Sequence, residues 1–154
     1  MPITVSSTDS IRKEIHLRAP RTRVWKALAD AEEFGTWFGM KLEGRFVPGQ
    51  PVFGRITHPD YQHIHLEMRI ERMEPESLFS YRWHPYPMDA ARDYSKEPMT
   101  LVEFRLEAAE GGTLLKVVES GFDRLPSDRR DEAFRMNEAG WKGKMARIER
   151  HVTA

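Results

Sequence analysis

The chain has 154 residues, 40% of them hydrophobic and 31% charged, a size and composition typical of one globular domain. Lys and Arg together number 24, as do Asp and Glu, so the formal net charge is zero. We therefore expect no nucleic-acid partner, because such proteins generally need a basic surface to displace counterions from phosphates. Cysteine is absent, which excludes disulfides, thiolate nucleophiles and cysteine-ligated zinc.

The N-terminal sequence has no basic stretch followed by an apolar run, so we expect no secretory signal. No apolar run approaches the roughly 20 residues that a membrane span needs, so we expect no membrane insertion. These features favour a cytoplasmic protein with a flexible N-terminus over residues 1–9 and one domain over residues 10–154.

Apolar and polar residues alternate over residues 10–18, which predicts a first strand. Pro20 then suits the first position of a helix, and apolar residues at helical spacing extend that helix to Asp30. A second short helix is predicted over residues 31–38. Further alternation, interrupted by turn residues, predicts six more strands, over residues 40–46, 52–58, 63–73, 78–84, 99–108 and 113–122.

The last segment, residues 127–151, predicts one long helix with Ser127 as its N-cap. Apolar residues spaced three and four apart form a stripe along this helix. Two polar residues, Asn137 and Glu138, interrupt the stripe. The order of the elements (strand, two short helices, six strands, long helix) predicts an α+β fold.

Short motifs along this order resemble those of the SRPBCC superfamily, and within it the Activator of Hsp-90 ATPase homologue group. The motifs are Ala19-Pro20 with Val24-Trp25-Lys26-Ala27-Leu28, Trp37-Phe38, Pro48-Gly49, Glu74-Pro75 with Leu78 and Tyr81-Arg82-Trp83, Thr113-Leu114-Leu115, Glu119-Ser120-Gly121-Phe122, and Gly140-Trp141 with Met145 and Ile148. The resemblance implies a helix-grip fold, in which a curved antiparallel sheet of about seven strands wraps around the long C-terminal helix. It also implies an apolar cavity between sheet and helix.

A straight helix cannot meet a concave sheet everywhere, and apolar gaps with a few polar groups are the usual small-molecule sites. The resemblance and the alternation of the strands together predict the residues that line this cavity. They are Trp37, Phe38, Met40, Leu66, Met68, Phe79, Tyr81, Trp83, Val102, Phe104, Glu119, Asn137, Trp141 and Met145. The alternative is that these side chains pack on one another as an ordinary core.

The 14-residue segment 85–98 contains three prolines together with Tyr86, Met88 and Tyr94. Loops this long inside a compact domain often act as lids or partner surfaces. We expect this segment to cover the mouth of the cavity, and a solvated hairpin extension is the alternative.

Four polar residues on or beside the inward faces, Tyr81, Glu119, Asn137 and Glu138, could orient a ligand or act as acid or base. The alternative is that they bond to one another or reach solvent at the mouth of the cavity. The sequence shows no paired-carboxylate spacing, nucleophile elbow or glycine-rich phosphate loop, and we predict no cofactor.

His63 and His65 share one face of a strand, an arrangement that metal sites sometimes use. The same face carries charged residues and should be solvated, so we predict no metal site. A glycine in mid-helix, Gly140, indicates close approach to the sheet or a ligand, unless it is a tolerated surface residue.

Three functions stay open at this point. The first is a module that binds a small hydrophobic molecule of lipid, aromatic or polyketide-like type. The second is a cyclase or hydrolase that uses the same cavity. The third is a protein-binding module like the chaperone-ATPase activators, which would need an exposed apolar patch. Homodimerisation is compatible with each of them.

Overall fold

In the computed structural model, which describes residues 8–89 and 91–153, the alternating segments form one antiparallel sheet. The strands are β1 (Ser10–Leu17), β2 (Met40–Glu43), β3 (Pro51–Ile56), β4 (His65–Glu74), β5 (Leu78–Trp83), β6 (Thr100–Ala109) and β7 (Gly112–Ser120). The α-helices are α1 (Arg21–Ala29), α2 (Ala31–Phe38) and α3 (Arg130–Thr153). Of the flexible N-terminus expected over residues 1–9, residues 1–7 lie outside the described residues, and the Asp9 carbonyl accepts hydrogen bonds from Gly121 and Phe122.

The seven strands lie in the order β1-β7-β6-β5-β4-β3-β2, and each pairs antiparallel with its neighbours. The first and second strands in the chain are therefore the two edges of the sheet. The long helix α3 crosses the concave face and packs against β1 and against α2. This is the α+β helix-grip architecture that the resemblance implied.

The helix α2 begins where the sequence predicts, and α1 begins one residue later than predicted. Pro20 precedes α1 as its N-cap, and Asp30 separates α1 from α2. The Asp30 carboxylate accepts hydrogen bonds from the backbone N–H groups of Glu32 and Glu33, which satisfies donors that a helix start leaves free.

Two predicted boundaries were wrong by three residues, and the others lie within two residues of the observed ends. The strand predicted over residues 40–46 ends at Glu43, because Gly44 has a φ of +97°, outside the range of an extended strand. The long helix begins at Arg130 instead of at Ser127. The backbone N–H groups of Arg129 and Arg130 both donate to the Pro126 carbonyl, so Ser127 lies in a turn ahead of the helix.

Aromatic rings fill most of the space between the sheet and the helices. Phe34 of α2 lies 6.0 Å from both Phe79 and Tyr81 of β5, measured between ring centroids. Trp141 of α3 lies 5.6 Å from Phe104 of β6. Edge-to-face packing at these separations is favourable beyond the area it buries. No helix in the part of the chain that the structure describes has the length and apolarity needed to cross a membrane.

Candidate functional site

Every predicted lining residue except Asn137 is buried. Most of these side chains lie in the aromatic core and face one another. They are Trp37, Met68, Phe79, Tyr81, Val102, Phe104, Trp141 and Met145. In this part of the gap the ordinary-core alternative describes the packing, because the rings leave no large space between sheet and helix.

A smaller pocket remains at one end of the gap, where α2, β2 and α3 meet the ends of β3, β4 and β5. Its volume is about 160 Å³. The residues that line it are Phe38, Gly39, Met40, Ile56, Leu66, Trp83, Tyr86, Pro87, Met88, Asn137 and Lys144. Five of them, Phe38, Met40, Leu66, Trp83 and Asn137, belong to the predicted set.

Larger depressions lie on the surface, for example one of about 760 Å³ beside α1. Charged side chains, including Lys26, Asp30, Glu32 and Arg45, form much of its wall. The pocket at the end of the sheet–helix gap is instead lined mainly by apolar side chains. It therefore has the character that small-molecule sites usually have.

Tyr86, Pro87 and Met88 form one wall of the pocket, so the first part of segment 85–98 lies over it. Buried Arg129, just ahead of α3, holds this part in place. Its Nη1 donates to the Pro85 carbonyl at 2.8 Å, and its Nε donates to Glu97 Oε1 at 2.7 Å. Its guanidinium also lies 4.8 Å from the centroid of the Tyr94 ring.

A second arginine, Arg92, extends this network within the segment. It pairs with Glu97 at 2.8 Å and with Asp128, next to Arg129, at 2.7 Å. The segment is thus tied to the start of α3 by charge-assisted bonds, which are stronger than neutral hydrogen bonds. Nothing in the sequence singles out Arg129 for this position.

Lys144 is the one lysine on the pocket wall. Its Nζ donates to the Phe38 carbonyl at 2.5 Å and lies 4.4 Å from the centroid of the Phe38 ring. Burial, reinforced by the positive charge of Arg147, lowers the pKa of Lys144 to about 8. Sequence reasoning missed Lys144, although it lies seven residues after Asn137 and three after Trp141, on the same side of the helix.

Glu119 is fully buried directly behind two wall residues. Its Oε2 accepts hydrogen bonds from Trp83 Nε1 (2.7 Å) and Thr100 Oγ1 (2.6 Å). Its Oε1 accepts from Asn137 Nδ2 (3.0 Å) and Trp141 Nε1 (2.8 Å). Burial raises the pKa of Glu119, and the four hydrogen bonds oppose that shift.

The orientation of Glu119, which the sequence left ambiguous, follows from the register. Glu119 of β7 pairs with Val102 of β6, and Val102 pairs with Tyr81 of β5, so the three side chains share the inward face. The Tyr81 hydroxyl is buried without a hydrogen-bond partner. Its pKa is raised well above the ordinary value by burial and by the charge of Glu119, so Tyr81 stays protonated at neutral pH.

The remaining sequence candidates lie outside the pocket. Glu138, His63 and His65 are exposed, and so is Gly140. A Cβ added at Gly140 would meet nothing within 4 Å, so the expected close approach to the sheet was wrong and Gly140 is a surface residue. Among residues 8–89 and 91–153, no three His, Asp or Glu side chains form a group that could hold a metal ion.

Comparison with known proteins places this geometry in context. The sequence model of a family described as Activator of Hsp90 ATPase homolog 1-like protein matches residues 18–153. A search of curated proteins found no match.

Solved structures share the fold. Protein MLL2253 from Mesorhizobium loti is 23% identical, with a TM-score of 0.74, over 94% of this chain and 96% of that one. The solution structure of the Aha1 dimer from Colwellia psychrerythraea is 14% identical, with a TM-score of 0.69, over 91% and 92%. DynU16, from the dynemicin biosynthetic locus, is 22% identical with a TM-score of 0.72, and the alignment covers 95% of this chain but only 48% of DynU16.

Proposed function

The chain belongs to the family of Activator of Hsp90 ATPase homolog 1-like proteins, and from this premise we propose that it binds a small hydrophobic molecule. The binding site is the pocket of about 160 Å³ between the sheet, α3 and residues 86–88. The observation that supports this most is the lining, which is mainly apolar, with the polar groups of Asn137 and Lys144 two turns apart on the same side of α3.

The volume narrows the class of ligand. An engineered cavity of about 150 Å³ lined by Leu, Ile and Phe binds benzene, whereas pockets for drug-sized ligands measure roughly 300–1,000 Å³. A molecule with one aromatic ring and a short side chain fits the present volume. A lipid or a polyketide would need Tyr86, Pro87 and Met88 to move away from the sheet.

The polar groups favour binding over acid–base catalysis. Catalysis of the cyclase or hydrolase type needs two or more titratable groups that converge on the substrate. Lys144 and Tyr86 are the titratable residues on the pocket wall, but burial and Glu132 raise the pKa of Tyr86 above its ordinary 10.0, which makes it a poor acid or base near neutral pH. Glu119 lies behind the wall with both oxygens occupied by donors from four side chains.

A protein-binding role has less support. It would need a contiguous apolar patch on the surface. The exposed large hydrophobic side chains of the described residues are Val47, Phe53, Tyr61 and Met136, and Phe53 alone of these lies on a strand. Because the Colwellia neighbour was solved as a dimer, the test should include a measurement of molecular mass.

The test is a titration of the ¹⁵N-labelled protein with ethylbenzene, followed by NMR. The chain has four tryptophans, so the indole N–H of Trp83, on the pocket wall, is a resolvable reporter. We expect a saturating shift of this resonance and, at a hundredfold excess over Kd, about 2.7 kcal/mol of added stability.

Two variants of β3 make this test specific. Ile56→Trp fills the pocket from its wall, and Phe53→Trp enlarges an exposed ring on the same strand. The shift should disappear in the first variant and persist in the second. A wild-type protein that shows no saturating shift would contradict the proposed function.

A further inference from the structure

The pocket wall carries a positive charge that no acidic group neutralises. The ion pairs formed by the described residues do not include Lys144. Its only charged neighbour of consequence is Arg147, which has the same sign. An ammonium group that is largely removed from water is costly unless something pairs with it.

One hydrogen bond within the protein partly explains why this lysine is tolerated. The Phe38 carbonyl that accepts from Nζ is the last of α2, and cations are favourable at the C-terminus of a helix. An ammonium nitrogen has three N–H donors, and this carbonyl takes one of them. The role at the helix end therefore leaves donors available to an occupant of the pocket.

Asn137 offers the pocket a hydrogen-bond acceptor, where Lys144 offers donors. Its side-chain N–H₂ donates to Glu119, which orients the amide and leaves its Oδ1 without a partner among the hydrogen bonds of the described residues. The pocket thus presents a cation at Lys144, an acceptor at Asn137, and apolar surface from Leu66, Trp83 and Met88.

We propose that the molecule bound in this pocket carries a carboxylate, which pairs with Lys144 while its single ring lies against Leu66, Trp83 and Met88. This inference rests on the proposed function and specifies its ligand as a small aromatic acid. The carboxylate supplies the negative charge that the pocket lacks. A hydrogen bond between two charged partners is about twice as strong as a neutral one.

The test compares phenylacetate with phenylacetamide, which have the same size and shape but differ in charge, and uses neutral ethylbenzene as the reference. Affinities are measured by calorimetry or from the Trp83 indole shift. We expect phenylacetate to bind the wild-type protein about tenfold more tightly than phenylacetamide.

Two variants assign that preference to one residue. Lys144→Met keeps the length and apolar stem of the side chain but removes the charge, and should abolish the preference while ethylbenzene still binds. Lys142→Met removes an exposed charge from the same helix and should leave the preference intact. If Lys144→Met does not fold, the comparison of phenylacetate with phenylacetamide on the wild-type protein still shows whether the carboxylate strengthens binding.

The outcomes separate the two proposals. Binding of ethylbenzene without a preference for phenylacetate would overturn the carboxylate inference and leave the proposed function standing. A preference that survives in Lys144→Met would also overturn the inference. Failure of all three compounds to bind would overturn both.

Discussion

The indole N–H of Trp83 donates a hydrogen bond to Glu119, 2.7 Å away, across the intervening strand β6. Trp83 forms part of the pocket wall, whereas Glu119 is fully buried behind it. The buried carboxyl group therefore fixes the orientation of a ring that faces the pocket. Trp141 and Asn137 of α3 donate to the other oxygen, so one side chain links the sheet, the long helix and the pocket wall.

Replacement of Glu119 by Gln should destabilise the protein by about 1–3 kcal/mol. The amide N–H₂ replaces one of the two oxygens, and an indole N–H, of Trp83 or of Trp141, donates to each of them, so at least one of the four hydrogen bonds is lost. Urea unfolding measures the effect. Glu138→Gln, at an exposed position on α3, is the matched control and should change the free energy of unfolding by less than about 0.5 kcal/mol. Equal effects of the two substitutions would mean that the four contacts contribute nothing.

The stability should depend on pH in a direction set by Glu119. The pKa of Glu119 in the folded protein is raised above the ordinary 4.5. At a pH between 4.5 and this higher pKa, the carboxyl group is ionised in the unfolded chain but still protonated in the folded protein. This contribution to stability is fully present below pH 4.5 and is lost as pH rises through the folded pKa. The difference in unfolding free energy between wild type and Glu119→Gln isolates the effect, because all other groups titrate in both. A wild-type curve that instead gains on the variant as pH rises towards 4.5, and is flat above it, would show that the pKa is lowered.

Arg129→Met should loosen segment 85–98 from the start of α3. The substitution removes the bonds to Pro85 and Glu97 and leaves the Glu97 carboxylate short of one partner. Breaking a buried ion pair typically costs about 3–5 kcal/mol. Hydrogen exchange at Tyr86 and Met88 should accelerate, and the affinity for ethylbenzene should fall. Arg135→Met, at an exposed position on α3, should change neither quantity.

Gly140→Ala and Gly143→Ala should each stabilise the protein by about 0.5–1 kcal/mol, because both lie inside α3 and Gly is a poor helix former. A Cβ at either position meets nothing within 4 Å. Gly35→Ala in α2 should have the opposite effect, since its Cβ would lie 2.4 Å from the Met40 carbonyl oxygen. Thermal unfolding of the three variants tests both signs. A destabilising Gly140→Ala would reveal a contact on that face of α3.

Binding of phenylacetate should weaken as pH rises through about 8, the pKa of Lys144. Arg147, of like charge, is the charged group that acts on Lys144, and Tyr86 is the other titratable residue on the pocket wall. Burial and Glu132 raise the pKa of Tyr86 above its ordinary 10.0, so Tyr86 stays neutral in this range. The affinity for ethylbenzene should not change with pH in this range. Lys144→Arg should remove the pH dependence of phenylacetate binding. A flat wild-type curve would show that the lysine charge does not contribute to binding.

The sequence predicted the fold well because its main determinants are local. Alternation identified the strands and their inward faces, and the spacing of apolar residues identified α3. The boundaries it missed depend on single backbone events, such as the φ of +97° at Gly44 and the turn that precedes Arg130.

The site was harder to predict, because its formation depends on packing between distant segments. Period-2 alternation shows that Phe79, Tyr81 and Phe104 point inward, but it cannot show that their rings fill the gap and confine the pocket to one end. The same limit applies to Arg129, whose partners Pro85 and Glu97 lie 44 and 32 residues away in the sequence. Lys144 could have been predicted from the sequence, because it is a lysine on the apolar side of α3.

The decisive measurement is the position of ethylbenzene in the complex, obtained from intermolecular nuclear Overhauser effects to assigned methyl groups. If ethylbenzene occupies the proposed pocket, its ring protons will show contacts to the methyl groups of Ile56, Leu66 and Met88, which line that pocket. Contacts confined to exposed residues such as Val47 or Met136 would contradict this placement, and so would the absence of any contact under saturating conditions.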